Sequence, residues 1–459
     1  MQFTTSIDRR TRAMLAAGLC GSCLPLAALA DDDAHELELK AHGVYWADKG
    51  LAYPTAKTPK PQPAAYEQSA LGLELNYRSP YFLGGVAGFD ASVYSVNRLG
   101  ASGVPTTQLV EVGNNGRLEN GYQSLGQALL KLRLGDKAVV KLGRQFQDSL
   151  LLKSTTNRAV PDTYSGVSAM LRPADGVKLY GAVYDQYRSR TTGEFVHFRT
   201  EASGRNGIDY IAVLGGNYVR GPLELTAEYL HAKSYLAKSA LIAAYTIPLG
   251  TDRLKLSGGY LTSRDAGSLF VCGAEKDMDC TGSGRISNRG SGAYVDVAWT
   301  VRDFTIGGAL TKISGFWIED NYAVDADRTG ALTQDPGTNP FPTQAVVGPD
   351  FTNRDETAAQ IRVAYDWKAL VPGLKTAYRY VRGTGARSSN LVNNVEGREQ
   401  YRELDARYEL PFVKNVSLRY LFMTYDSQAD GRTASQTLNG LTRQDWRQHR
   451  FYIDYSYRF

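Results

Sequence analysis

The chain has 459 residues, 43% of them hydrophobic, with 29 Tyr, 46 Gly and a formal net charge of +5. Three of its arginines, Arg9, Arg10 and Arg12, stand in a leader, so the rest is close to neutral and offers no electrostatic case for a nucleic-acid partner. Beyond that leader no run reaches the roughly 18 apolar residues of a membrane helix, so a membrane-spanning form has to be a closed barrel.

Residues 1–30 read as a secretory signal peptide. The three arginines are followed by an apolar, small-residue stretch, Ala13 to Leu29, and Ala28-Leu29-Ala30 is an A-x-A cleavage site before Asp31-Asp32-Asp33. A twin-arginine signal through Arg9-Arg10 and lipidation at Cys20 or Cys23 fit the flanking residues less well. Cleavage after Ala30 leaves one domain, 31–459, with two cysteines. Cys272 and Cys280 bracket a polar segment of an exported chain, which favours a disulfide that staples a loop.

A short first strand is expected in Asp31 to Lys40, where Leu37 and Leu39 alternate, and a proline-rich loop follows, Pro54 to Pro63. Leu71, Leu73, Leu75 and Tyr77 mark the second strand. Ser79-Pro80 turns into a third, Phe82 to Ser95, and a polar loop covers Asn97 to Asn120. The fourth strand puts Ala128, Leu130, Leu132 and Leu134 on one face and Lys131 and Arg133 on the other. Gly135-Asp136 leads into the fifth, and the loop Arg144 to Asp162 follows it. Further strand pairs flank Arg172-Pro173-Ala174-Asp175, Arg220-Gly221-Pro222, Pro248-Leu249-Gly250-Thr251, Val301-Arg302-Asp303, Val371-Pro372-Gly373 and Pro411-Phe412-Val413-Lys414.

The closing strand is the most regular. Phe451, Ile453, Tyr455, Tyr457 and Phe459 share one face, and Arg450, Tyr452, Asp454, Ser456 and Arg458 share the other. An aromatic terminus is at home at a bilayer interface, and bacterial barrel-insertion machinery recognises a final aromatic such as Phe459. Short Pro/Gly/Asp turns alternate along the chain with mostly long polar loops, the sorting expected of an outer-membrane β-barrel with short periplasmic turns and longer external loops. The fold class expected is therefore all-β, a transmembrane antiparallel barrel of about eighteen strands, or sixteen on a stricter count. It places the chain in the outer membrane of a Gram-negative cell, among lipid and lipopolysaccharide.

Such a barrel encloses water, so selectivity needs a constriction. The loop after the fifth strand mixes Phe146, Leu150, Leu151 and Leu152 with Lys153, Asn157 and Arg158, and its apolar residues are expected to dip into the lumen. The loop after the thirteenth, about Gly315 to Arg354, is the longest and holds Phe316, Trp317, Ile318, Phe341 and Pro342.

At these residues the chain resembles the OprD-type substrate-specific porins. Tyr245-Thr246-Ile247-Pro248-Leu249, Val371-Pro372-Gly373-Leu374 with Arg379-Tyr380, Leu142-Gly143-Arg144 and Pro161-Asp162-Thr163-Tyr164-Ser165-Gly166 carry the likeness. The resemblance implies an eighteen-stranded, largely monomeric channel (a weak trimer is the alternative) for small carboxylate-bearing solutes. Its third and seventh loops would fold inward, and a ladder of basic side chains would line one wall. Carried over by position, the ladder is Arg379, Arg419 and Arg450; a further family arginine falls on Leu421, with Arg407 on the neighbouring strand as a replacement rung. Lys131 and Arg133 are additional inward cations.

Strand parity puts the same arginines inward without the family. An arginine facing lipid at mid-depth costs roughly 2–4 kcal/mol. The competing role is to neutralise Glu403, Asp405, Glu409 and Asp454, and for Arg407 the two roles weigh equally. A general diffusion porin, a barrel-embedded enzyme and an adhesin are the rival functions. No Gly-x-Ser-x-Gly elbow, phosphate-binding loop or His-Glu-x-x-His is present, and Asp325-Ala326-Asp327 with Gly330 lacks the third ligand of a calcium loop. No enzyme activity, metal or cofactor is expected.

Overall fold

The computed structural model describes residues 34–52, 62–199, 207–269, 289–315, 317, 340–346, 350–387, 396–429 and 444–459. The expected signal peptide, Cys272, Cys280 and the Asp325–Gly330 stretch lie outside the described residues.

Alternating polarity has produced one continuous antiparallel sheet. Its first strands are β1 (Glu36–Ala52), β2 (Gln62–Arg78), β3 (Ala87–Gly103), β4 (Gly121–Leu134), β5 (Ala138–Gln145), β6 (Thr163–Ala174) and β7 (Val177–Arg188). A two-residue strand, β8 (Val196–His197), edges β7, which pairs directly with β9 (Ile211–Arg220). The sheet continues through β10 (Leu223–Ala232), β11 (Leu236–Leu249), β12 (Asp252–Asp265), β13 (Arg289–Val301) and β14 (Phe304–Gly315). It ends with β15 (Thr357–Asp366), β16 (Leu374–Arg387), β17 (Glu396–Glu409), β18 (Val416–Ala429) and β19 (Gln444–Arg458). β19 pairs back onto β1, in register from Glu38 opposite Arg458 to Gly50 opposite Trp446. Apart from β8 the strands span, giving a closed barrel of eighteen, and no helix occurs among the described residues.

The predicted turns fall where expected, all at one end, and the longer loops leave from the other. β3 begins at Ala87 rather than Phe82, and three boundaries at the long-loop end differ as well: β1 runs on to Ala52 rather than stopping at Lys40, β2 begins at Gln62, and β3 continues to Gly103. The cause is physical: towards the long-loop end the outward positions become polar, as at Lys49, Glu67 and Asn97, so the alternation that betrays a strand fades while the backbone ladder continues.

Outward faces carry an apolar band that includes Leu214, Leu241, Val295, Ile361 and Ile453. In water such a surface would be a liability; against acyl chains it is the matching solvent. At the short-turn end the band closes in aromatic contacts. Phe304 and Tyr365 lie 4.3 Å apart, Tyr365 and Trp367 4.7 Å, and Tyr457 and Phe459 5.0 Å. The Phe459 backbone N–H donates to Leu37 O at 3.0 Å, fastening the last residue onto β1.

Inside, two apolar clusters face each other across the lumen. One gathers around Leu151, Leu152, Tyr164, Tyr184, Leu230 and Phe341; the other around Trp46, Tyr94, Val160, Val381, Tyr401 and Tyr425.

Candidate translocation site

The loop after β5 belongs to both clusters. Leu151 and Leu152 are buried in the first, and Ala159 and Val160 in the second. Full burial of each leucine is worth about 1.5–3 kcal/mol, so the loop is held across the barrel rather than left outside it. Gly72 on β2 shows how closely it passes: a Cβ there would lie 1.9 Å from the Ala159 carbonyl oxygen.

Polar anchors fix its two ends. Glu228, buried on β10, accepts hydrogen bonds from the Leu150 and Leu151 backbone N–H groups at 2.8 and 2.7 Å, from Ser149 Oγ at 3.0 Å and from Tyr180 Oη at 2.5 Å. Arg188, fully buried on β7, donates to Thr163 Oγ1 at 3.2 Å, to the Thr192 carbonyl at 3.1 Å and to the Pro161 carbonyl. Arg190 donates to Asn157 Oδ1 at 2.7 Å. The loop after β3 is tied in as well, with Gln68 on β2 accepting from the Leu109 N–H at 3.2 Å.

Residues 340–346 and 350–356, from the loop after β14, fold inward as well. Phe341 packs 5.0 Å from Trp317, edge to face, and Arg379 donates to the Gln344 carbonyl at 3.1 Å. Its base is pinned by a buried acid pair. Glu356 Oε2 accepts from Asn353 N and Nδ2 at 3.0 and 2.9 Å. The same Asn353 amide reaches Glu399 Oε1 at 3.0 Å, and Tyr425 Oη donates to Glu399. Burial, and the Glu399 carboxylate beside it, push the Glu356 carboxyl well above the ordinary range. A carboxyl that holds its proton more tightly docked than free favours docking at low pH, and that preference is lost as pH rises through its raised value. Single-channel conductance should therefore increase with pH above the usual carboxylate range, and Glu356→Gln should flatten the profile. A wild-type profile flat from acid to alkaline pH would contradict this.

Besides Arg379, the basic residues read from the sequence fall into three groups. Lys131 and Arg133 sit together near the short-turn end, over the Tyr81 ring at 4.9 and 4.3 Å, with Lys131 Nζ 2.9 Å from Asp90 and Arg133 Nε donating to the Gly85 carbonyl at 3.0 Å. They are on β4, away from the other arginines. Arg407 and Arg419 share one carboxylate. Arg419 forks onto Asp405 with both nitrogens at 2.9 Å, and Arg407 Nη2 reaches Asp405 Oδ2 at 3.0 Å. Arg407 and Arg419 are therefore held together on Asp405, and Leu421 is buried opposite Arg450.

The third group is built on Trp46 of β1, which lies beyond the end at Lys40 that alternation predicts for the first strand. The Arg158 guanidinium, from the loop, lies 3.9 Å from the indole centroid, and that of Arg450, from β19, lies 3.2 Å from it. Arg450 is fully buried. Its Nε donates to Gln448 Oε1 at 2.9 Å, but neither Nη meets an acceptor. Arg158 Nη2 donates to Gln108 Oε1 at 3.2 Å, while its Nε and Nη1 meet none. Neither arginine is ion-paired with a carboxylate among the described residues. Burial, with Arg190 and Arg450 nearby, disfavours the Arg158 charge. A cation–π contact partly offsets that, but buried guanidinium donors still call for an acceptor.

The remaining residues of the expected constriction make other contacts. Lys153 pairs with Asp148 at 3.1 Å with both side chains half exposed, Phe146 is partly exposed, and Asn157 serves as Arg190's acceptor. On the far wall Arg362 forks onto Asp296 at 2.6 and 3.0 Å.

A protein-family model described as outer membrane porin, OprD family, matches residues 36–459. No curated protein sequence matches. Among solved structures the chain is similar to Pseudomonas aeruginosa OpdK, crystallised with vanillate, at 19% identity and a TM-score of 0.71 over 93% of this chain and 99% of that one. It is similar to P. aeruginosa OccK9 (OpdG) at 20% and 0.71, and to Acinetobacter baumannii OccAB2 at 20% and 0.70, each over 93% of this chain and 98% of the other.

Proposed function

The chain belongs to the OprD family of outer membrane porins, and from that premise we propose that it takes up small carboxylate-bearing solutes passively through a loop-narrowed pore. The observation that carries this reading is the pair of guanidinium groups on Trp46, buried at the constriction with nitrogen donors that no protein acceptor satisfies. A carboxylate entering the narrow zone loses part of its hydration, and a planar guanidinium replaces it with two parallel hydrogen bonds. Arg379 offers a further donor along the same wall. Arg407 and Arg419 together carry one charge more than Asp405 neutralises, which makes them a weaker rung. Several moderate sites in series let an anion enter and still leave.

The vanillate found with OpdK is an aromatic carboxylate, which fits this substrate class. The chemistry performed is binding and release; the porins of this family are channels, not enzymes. A single barrel is proposed as the unit, exported by the leader and inserted with the help of Phe459. The test is flux through the purified channel in liposomes, comparing benzoate with benzamide, which has nearly the same shape and no charge. Faster benzoate entry, with an anion-selective reversal potential across a salt gradient, is expected. Equal entry of both would leave a general diffusion porin.

A further inference from the structure

The outer wall carries charges that the pore does not use. Lys49 on β1, Arg382 on β16, Arg402 on β17 and Arg447 on β19 all point away from the lumen and are exposed. The register joins them. Lys49 is directly opposite Arg447, Arg447 and Arg402 are both opposite Thr424 of β18, and Arg382 is opposite Gln400, two residues from Arg402. Arg402 also lies 5.8 Å from the ring of Tyr380. None of the four pairs with a carboxylate among the described residues. Glu67 and Asp426 border the patch, and neither forms an ion pair with it.

The position of the patch limits what can sit on it. Below it on the same strands the outward side chains are Tyr45, Tyr378, Leu404, Tyr420 and Phe451, the wall that acyl chains cover. A cation facing acyl chains at mid-depth is costly, and the cost falls to about 0–1 kcal/mol near the interface. Cations here therefore mark the headgroup level at the long-loop end. In an outer-membrane porin that end faces the outer leaflet, whose headgroups are phosphorylated lipopolysaccharide.

We propose that Lys49, Arg382, Arg402 and Arg447 form a docking site for lipopolysaccharide, binding the phosphates of its lipid A while the acyl chains lie on the apolar wall beneath. Arginine matches phosphate oxygens with a planar fork, and Lys49 adds a point charge at the edge. The site involves no pore-lining residue, so it stands whether or not the channel prefers carboxylates.

The experiment uses the purified barrel in detergent, titrated with bisphosphorylated lipid A, with dephosphorylated lipid A and with phosphatidylglycerol. The variant is Lys49→Gln, Arg382→Gln, Arg402→Gln and Arg447→Gln together. Each basic side chain near an anionic surface contributes enough that losing four should weaken binding of bisphosphorylated lipid A by at least about a hundredfold. Dephosphorylated lipid A should bind wild type and variant alike, phosphatidylglycerol, with a single phosphate charge, should lose less affinity than bisphosphorylated lipid A, and single-channel conductance should not change. Equal affinity of wild type and variant for bisphosphorylated lipid A would overturn the site. So would a wild type that does not distinguish the two lipid A forms, a comparison that decides the matter even if the variant does not fold.

Discussion

Replacing Arg158 and Arg450 together by glutamine should lower benzoate flux about ten- to a hundredfold and leave benzamide flux unchanged. A hydrogen bond to a charged group is worth about 1.5–3 kcal/mol, and one such interaction lost at the narrow point gives that range. Folding should survive, because four of the guanidinium nitrogens involved have no protein partner to leave stranded. Each single variant should fall between wild type and the double. Lysine at both positions should restore only part of the flux, since an ammonium supplies the charge without the fork. Benzoate flux unchanged in the double variant, or benzamide flux falling in parallel, would show that the pair shapes the pore without selecting its solute.

Glu228→Leu should raise single-channel conductance and weaken ion selectivity. The carboxylate gathers four donors from the loop and wall, two of them backbone N–H groups. A buried donor without a partner costs about 1–3 kcal/mol, so removing the acceptor opposes the burial of Leu151 and Leu152 by an amount comparable to what that burial contributes. The loop should then spend part of its time out of the lumen, with noisier current as well as larger. Glu228→Gln, which keeps one acceptor oxygen, should lie between. Conductance equal to wild type in Glu228→Leu would mean that the apolar contacts alone hold the loop.

Much of the barrel was legible because lipid imposes a rule of period two on every spanning strand, and the short turns announce themselves with Pro, Gly and Asp. The rule lapses where strands rise above the lipid, which is why Trp46 was hidden: by alternation alone the stretch around Lys49 looks like loop. Parity placed Arg379, Arg419 and Arg450 inward, as they stand. What parity cannot supply is the partner. Asp405 shares a face with Arg407 and Arg419, but whether a fork closes on it depends on cross-strand register, which the sequence leaves open. The inward dip of the loop after β5 was readable from its leucines. Its anchor was not, since Glu228, on the same face of β10 as Glu224 and Thr226, gives no hint of which distant N–H groups will reach it.

The meeting of β1 and β19 has a consequence for biogenesis. Asp48 and Gln448, joined by a 2.7 Å hydrogen bond across that seam, are 400 residues apart in the chain. Until the two strands zip together, each presents an open hydrogen-bonding edge to any other strand in reach, which is the hazard of aggregation. Contacts so distant in sequence are also among the slowest to form. Trp46 is on one side of the seam and Arg450 on the other, so the proposed solute-binding pair cannot exist in a half-made barrel. Selectivity would thus be the last property the molecule acquires. A leaky, unselective conductance during assembly would be the electrical signature of a seam that has not yet shut.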